Sequence, residues 1–214
     1  MHASTDIRKV KCLDGLHFSF ELLEYNYSGM HESCIAINND QKNIIPALSK
    51  CWAFVDLVHR IREIAQALPG LSGKSEKLRN FLGETNVSED FRHYIQHLRR
   101  ELSKKDINNF PAWGTLSWVD SEDESVSHLV VIGAQIPGTT YSGCIYDRFE
   151  NKWVSKVCLA VSGLSFNFDP IYEECMKFKK FILPWIHSTY EPGIKATEKS
   201  PIITMKFLLN DENA

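Results

Sequence analysis

Phe91-Arg92-His93-Tyr94-Ile95-Gln96-His97-Leu98-Arg99-Arg100-Glu101-Leu102 reads as one amphipathic helix. Phe91, Ile95, Leu98 and Leu102 recur at i, i+4, i+7 and i+11, a single apolar stripe of helical period. At about 100° per residue, His97 falls roughly 130° from the centre of that stripe and Arg92 roughly 90°. A histidine so placed faces solvent or a partner. A helix with one narrow apolar stripe needs other helices to bury it. The segment from Lys42 to Leu68, long and apolar on one face, precedes it in the chain. The first half of the chain therefore reads as a helical bundle.

The polar face of the quoted segment carries a chemically useful set. His93 and His97 are four apart and share a face. Arg92 is long enough to lean toward His97, and Glu101, four residues on, can orient the imidazole. A guanidinium beside an imidazole suits phosphodiester chemistry. The arginine holds a phosphate and stabilises added negative charge, and the histidine moves a proton between attacking hydroxyl and leaving oxygen. Arg99, Arg100, Lys104 and Lys105 add a local basic patch, which on ordinary grounds is a solvated helix end complementing the helix dipole.

Arg92-His93-Tyr94-Ile95-Gln96-His97 resembles the Arg-x4-6-His motif of the HEPN superfamily of helical-bundle ribonucleases and nucleotide-binding proteins. His93 stands where that motif often carries Asn, Asp or His. The likeness covers roughly residues 15–106 and is silent on the second half. It implies a metal-independent endoribonuclease in which the RNA 2′-OH attacks the adjacent phosphate. His97 would be general acid/base and Arg92 would hold the phosphate, the two catalytic residues. His93, Arg99 and Arg100 would contact substrate. The likeness also implies a homodimer with motifs paired across a two-fold axis, RNA as substrate, no cofactor, and a toxin–antitoxin or phage-defence setting with a possible antitoxin partner. Other members of the superfamily are catalytically silent binding or assembly modules, which is the alternative expectation.

Working outward, residues 1–14 look like a loose start and a first helix is expected between Leu16 and Ile37. The clearest helix opens at Asn43-Ile44-Ile45-Pro46, with proline in the first turn where its missing N–H costs nothing, and Pro69-Gly70 ends it. Lys74 to Leu82 reads as a short helix stopped by Gly83, and Ser88 as the N-cap of the motif helix. After Asp106 the pattern changes. Trp113–Val119, His128–Ile136, Tyr141–Tyr146 and Trp153–Val161 are strand-like, separated by turn-forming stretches. Asp169 and Pro170 open a further helix, ended or kinked by Pro184, then residues 189–200 form a loop and Ile202–Leu208 a last strand. The fold class expected is α+β: an N-terminal helical bundle (1–108), then an antiparallel β meander with a covering C-terminal helix (109–214), divided near Asn108-Asn109.

The chain has 214 residues, a net charge of −3 and 43% hydrophobic residues, so any nucleic-acid contact must come from a local patch. Its six cysteines form no Cys-x-x-Cys pair, which excludes a zinc knuckle or dithiol motif. No signal-peptide core and no run of about 18 apolar residues is present, so a soluble, cytoplasmic protein with no membrane contact is expected. His93 and His97 have zinc-ligand spacing, but Tyr94 stands where a metalloprotease carries glutamate, and no metal ligand is assigned. His59 and Arg60 can approach the motif helix or simply face solvent beside Arg62 and Glu63. Asp120 to Glu124 reads as a solvated hairpin turn rather than a cation loop. Ser162-Gly163 lacks the context of a hydrolase nucleophile. Trp113, Trp118 and Trp153 are packing residues by default, base-stacking ones by exception.

Overall fold

The structure is a computed structural model that describes residues 7–103, 110–134 and 137–189. Its first half is helical: α1 (Ile7–Ser28), α2 (Met30–Ile35), α3 (Ile44–Ala67), α4 (Glu76–Glu84), α5 (Val87–Gln96) and α6 (Leu98–Leu102). The second half holds β1 (Thr115–Val119), β2 (Ser127–Val131), β3 (Tyr146–Asp147), β4 (Lys152–Trp153), β5 (Val157–Val161), β6 (Leu164–Asn167) and then α7 (Phe168–Thr189). The α+β class is as expected. The division near Asn108-Asn109, residues 190–200 and the strand at Ile202–Leu208 lie outside the described residues.

α1 and α3 form the spine. Gly15 near the start of α1 faces Ile64 near the end of α3, and Gly29 after α1 faces Lys50, so the two run antiparallel. α1 starts at Ile7, inside the stretch 1–14 that the sequence suggested as a loose start and well before Leu16. Leu16, Phe20 and Leu23 are fully buried at helical spacing, which overrides the strand-like alternation of Leu16, Phe18, Phe20 and Leu22. α3 opens where the Pro46 signal placed it. It buries Leu48, Cys51, Phe54, Val55, Val58, Ile61 and Ala65. α4 extends through Gly83 to Glu84 and is capped by Ser75, whose hydroxyl accepts from Leu78 N at 3.5 Å.

The sheet has the order β2-β1-β5-β6, antiparallel throughout, with a separate β3-β4 ribbon. It is not a meander. β1 pairs with β5 rather than handing on through β2, so two hairpins lie side by side. Every residue of β1 and β5 is buried, because each strand is covered on both faces. Tyr141–Ile145 is not a strand, whereas Leu164–Asn167, absent from the sequence expectation, is one. Ser162 (φ 49) and Gly163 (φ 81) make the two-residue turn that pairs Val161 with Leu164, so that dipeptide is a hairpin corner. Asp120 accepts from Glu122 N and Asp123 N and lies 2.7 Å from His128 Nε2, which closes the expected exposed turn. The His128 bond, then those two backbone amides, hold the Asp120 carboxyl down at about 2.

Helices and sheet share one hydrophobic core. The Phe54 ring on α3 meets Tyr27 of α1, Phe166 of β6 and Phe168 of α7 at centroid distances of 6.0, 6.1 and 5.3 Å. Phe81 of α4 stacks on Phe178 of α7 at 4.1 Å. α7 starts at Phe168, one residue before the expected cap. Asp169 instead accepts from Lys156 N (2.8 Å) and Tyr27 OH (3.0 Å), tying α7 to the sheet and α1, and the helix continues through Pro184. The six cysteines are free, and all but Cys144 are buried.

Gly114 enters β1 with φ +79, and a Cβ there would meet Ala160 O at 2.0 Å. Gly114→Ala should cost about 2–4 kcal/mol, from left-handed backbone plus overpacking against a strand that cannot retreat. A chemical-denaturation midpoint equal to that of the parent would show that the β1–β5 approach is looser than described.

Candidate functional site

The quoted segment is two helices, not one. At His97 the backbone leaves the helical region (φ −109, ψ 22), closing α5 and opening α6. The buried stripe differs accordingly. Phe91 and Tyr94 are buried, while Ile95 and Leu102 are exposed and Leu98 is only half-buried. Tyr94 supplies the reason. Its phenol donates to Ala112 O at 2.8 Å, so the helix turns that residue inward and rotates Ile95 out. Burial first, and then the Glu101 carboxylate, raise the Tyr94 phenol above its usual range. The helix also starts at Val87 rather than after Ser88, whose hydroxyl is buried and donates to Thr85 O at 2.8 Å.

His97 faces solvent, as its angular position predicts. Its ring lies against that of His93 with centroids 4.4 Å apart. Arg100, from the first turn of α6, brings Nη2 to 2.7 Å from His93 Nε2 and to 3.4 Å from the Glu101 carboxylate. Arg99 is exposed on the same short helix. The break at His97 thus gathers His93, His97 and Arg100 into one open cluster.

Arg92 points elsewhere. Its Nη1 pairs with Asp56 Oδ1 of α3 at 3.0 Å, and its Nε is enclosed without a hydrogen-bond acceptor. Asp56 also accepts from Arg60 Nε at 2.5 Å. These groups line a groove of about 800 Å³ between α1 and α3, with Phe18, Leu22, His59 and Glu63 along it. Also on α3, Arg62 is 5% exposed. It donates from Nε to Glu89 Oε1 (2.8 Å) and from Nη1 to Leu82 O (2.5 Å) and Thr85 Oγ1 (2.7 Å). His59 Nδ1 lies 3.1 Å from the same Glu89 oxygen. Burial works to raise the Glu89 carboxyl, but the hydrogen bonds and charges of Arg62 and His59 outweigh it and hold the group below its usual range.

His59 therefore does approach the motif helix, whereas Arg60 pairs along its own helix. The buried Arg62–Glu89 clamp was missed in the sequence. Its signal was there: Val58, Ile61, Arg62 and Ala65 fall at i, i+3, i+4 and i+7, so an arginine occupies a core position and needs a carboxylate partner. Among the described residues no helix is long and apolar enough to cross a membrane. No protein-family model, no curated protein and no solved structure matches this chain.

Proposed function

We propose that the protein is a HEPN-like, metal-independent endoribonuclease acting at the α5–α6 turn. The observation that carries this reading is the exposed His97 imidazole packed on His93, with the Arg100 guanidinium in contact with His93. His97 takes the proton of the RNA 2′-OH as that oxygen bonds to the adjacent phosphorus. The P–O5′ bond breaks, protonated His97 passes that proton to the departing 5′ oxygen, and a 2′,3′-cyclic phosphate remains. In this arrangement Arg100 is the guanidinium placed to hold the phosphate, and Arg99 extends the cationic surface. Arg92, the motif arginine, is engaged by Asp56 and acts by fixing α5 against α3. A second copy of the chain, bringing its own α5–α6 turn across a two-fold axis, completes an RNA groove.

The catalytically silent reading, a binding or assembly module, is favoured by one observation. The Asp56 carboxylate neutralises Arg92, whose Nε is enclosed. Single-stranded RNA incubated with the purified chain in EDTA separates the two. The ribonuclease reading expects cleavage to products ending in cyclic or 3′-phosphate, from a protein of dimer mass by light scattering. Intact RNA, or a monomer with and without RNA, leaves the binding module.

A further inference from the structure

A second constellation lies on the α3–α5 face, apart from the α5–α6 turn. His59 and Glu63 are one helical turn apart on α3, and Glu89 faces them from the first turn of α5. One ligand atom from each lies within 4.8 Å of the others. We propose that His59, Glu63 and Glu89 bind a divalent transition-metal ion of the zinc class.

Four features carry the assignment. The donor set, one imidazole nitrogen and two carboxylates, suits borderline cations such as Zn²⁺, Co²⁺ and Mn²⁺. The spacing fits as well. A nitrogen and an oxygen sharing one ion at bond lengths of about 2.0–2.2 Å sit about 3 Å apart. His59 Nδ1 and Glu89 Oε1 are 3.1 Å apart, so the ion takes the place of the proton between them.

Third, Glu89 is already oriented. Arg62, itself anchored on Leu82 O and Thr85 Oγ1, donates to the same Glu89 oxygen and fixes its orientation, as the outer partners of a metal-ligating carboxylate do. Finally, His59 and Glu63 line the open groove between α1 and α3. An ion held by three protein groups keeps a coordination position there for water. The histidine pair at His93 and His97 drew attention in the sequence because both ligands share one helix. This set escapes such a reading because its third ligand arrives from another helix.

Cobalt(II), added to the chelator-treated full chain under reducing conditions, tests the site. Visible absorption and calorimetry should report one ion per chain with no thiolate charge-transfer band, displaced by zinc. Glu63→Gln and His59→Gln should each weaken binding by roughly ten-fold or more. Glu76→Gln, an exposed acid of α4, should leave it unchanged. Far-UV circular dichroism of each variant should match that of the parent. No binding, a thiolate band, or affinity untouched by both site variants would overturn the proposal. RNA cleavage in EDTA is read separately, so either proposal can fail alone.

Discussion

His97→Ala should slow RNA cleavage by roughly 100- to 10,000-fold, the range that a positioned acid–base group supplies, while leaving the melting temperature unchanged. The side chain is exposed, and its recorded neighbour is the His93 ring, so truncation removes little packing. Arg100→Ala should act in the same direction. Arg100→Lys should not restore the rate, because an ammonium keeps the charge but not the planar fork. Arg92→Ala separates the two arginines. Loss of its pair with Asp56 should lower stability, with a smaller effect on the rate than Arg100→Ala. Measured rates on one RNA in EDTA, with circular dichroism for folding, decide the matter. A His97→Ala protein that cuts as fast as its parent ends the ribonuclease reading. An Arg92→Ala protein that folds fully but is as inactive as Arg100→Ala returns the phosphate-holding role to Arg92.

Phe54→Ala should destabilise the fold by about 3–5 kcal/mol, as large-to-small changes do in cores that cannot collapse onto the gap. Phe54 is fully buried, and its ring partners belong to a helix, a strand and a second helix whose backbones are fixed by different contacts. In a chain of this size that corresponds to a melting temperature lower by roughly 6–20 °C. Leu98→Asp should be milder, since Leu98 is only half-buried. Were Leu98→Asp the more damaging of the two, the aromatic cluster would not be the centre of the core.

The bundle-then-sheet order was legible because α3, α5 and the buried strands β1 and β5 carry strong local signals: Pro46, Pro69-Gly70, and dense Val, Leu and Trp. Where the reading of the motif helix failed, a distant partner decided. Four apolar residues at helical spacing predicted an uninterrupted helix. Tyr94 instead reaches Ala112, and the helix ends at His97. That bond lies 18 positions away in the chain, beyond any local period. β6 was missed because four residues behind a Ser-Gly corner look like the tail of β5 until both positive φ values are seen. Of the candidate site, the exposure of His97 was legible from angular position alone. The engagement of Arg92 by Asp56 was not, because it depends on how α3 and α5 are rotated against each other.

The position of Phe54 also fixes an order of events during synthesis. Phe54 leaves the ribosome more than a hundred residues ahead of Phe166 of β6 and Phe168 of α7. Until those last elements emerge, the surfaces that Phe166, Phe168 and Phe178 will cover stand open to water and to other nascent chains. An unfinished helical half of this kind aggregates unless it is held. Any delay after α3 prolongs that exposure, so the yield of folded protein should fall as the interval before β6 lengthens.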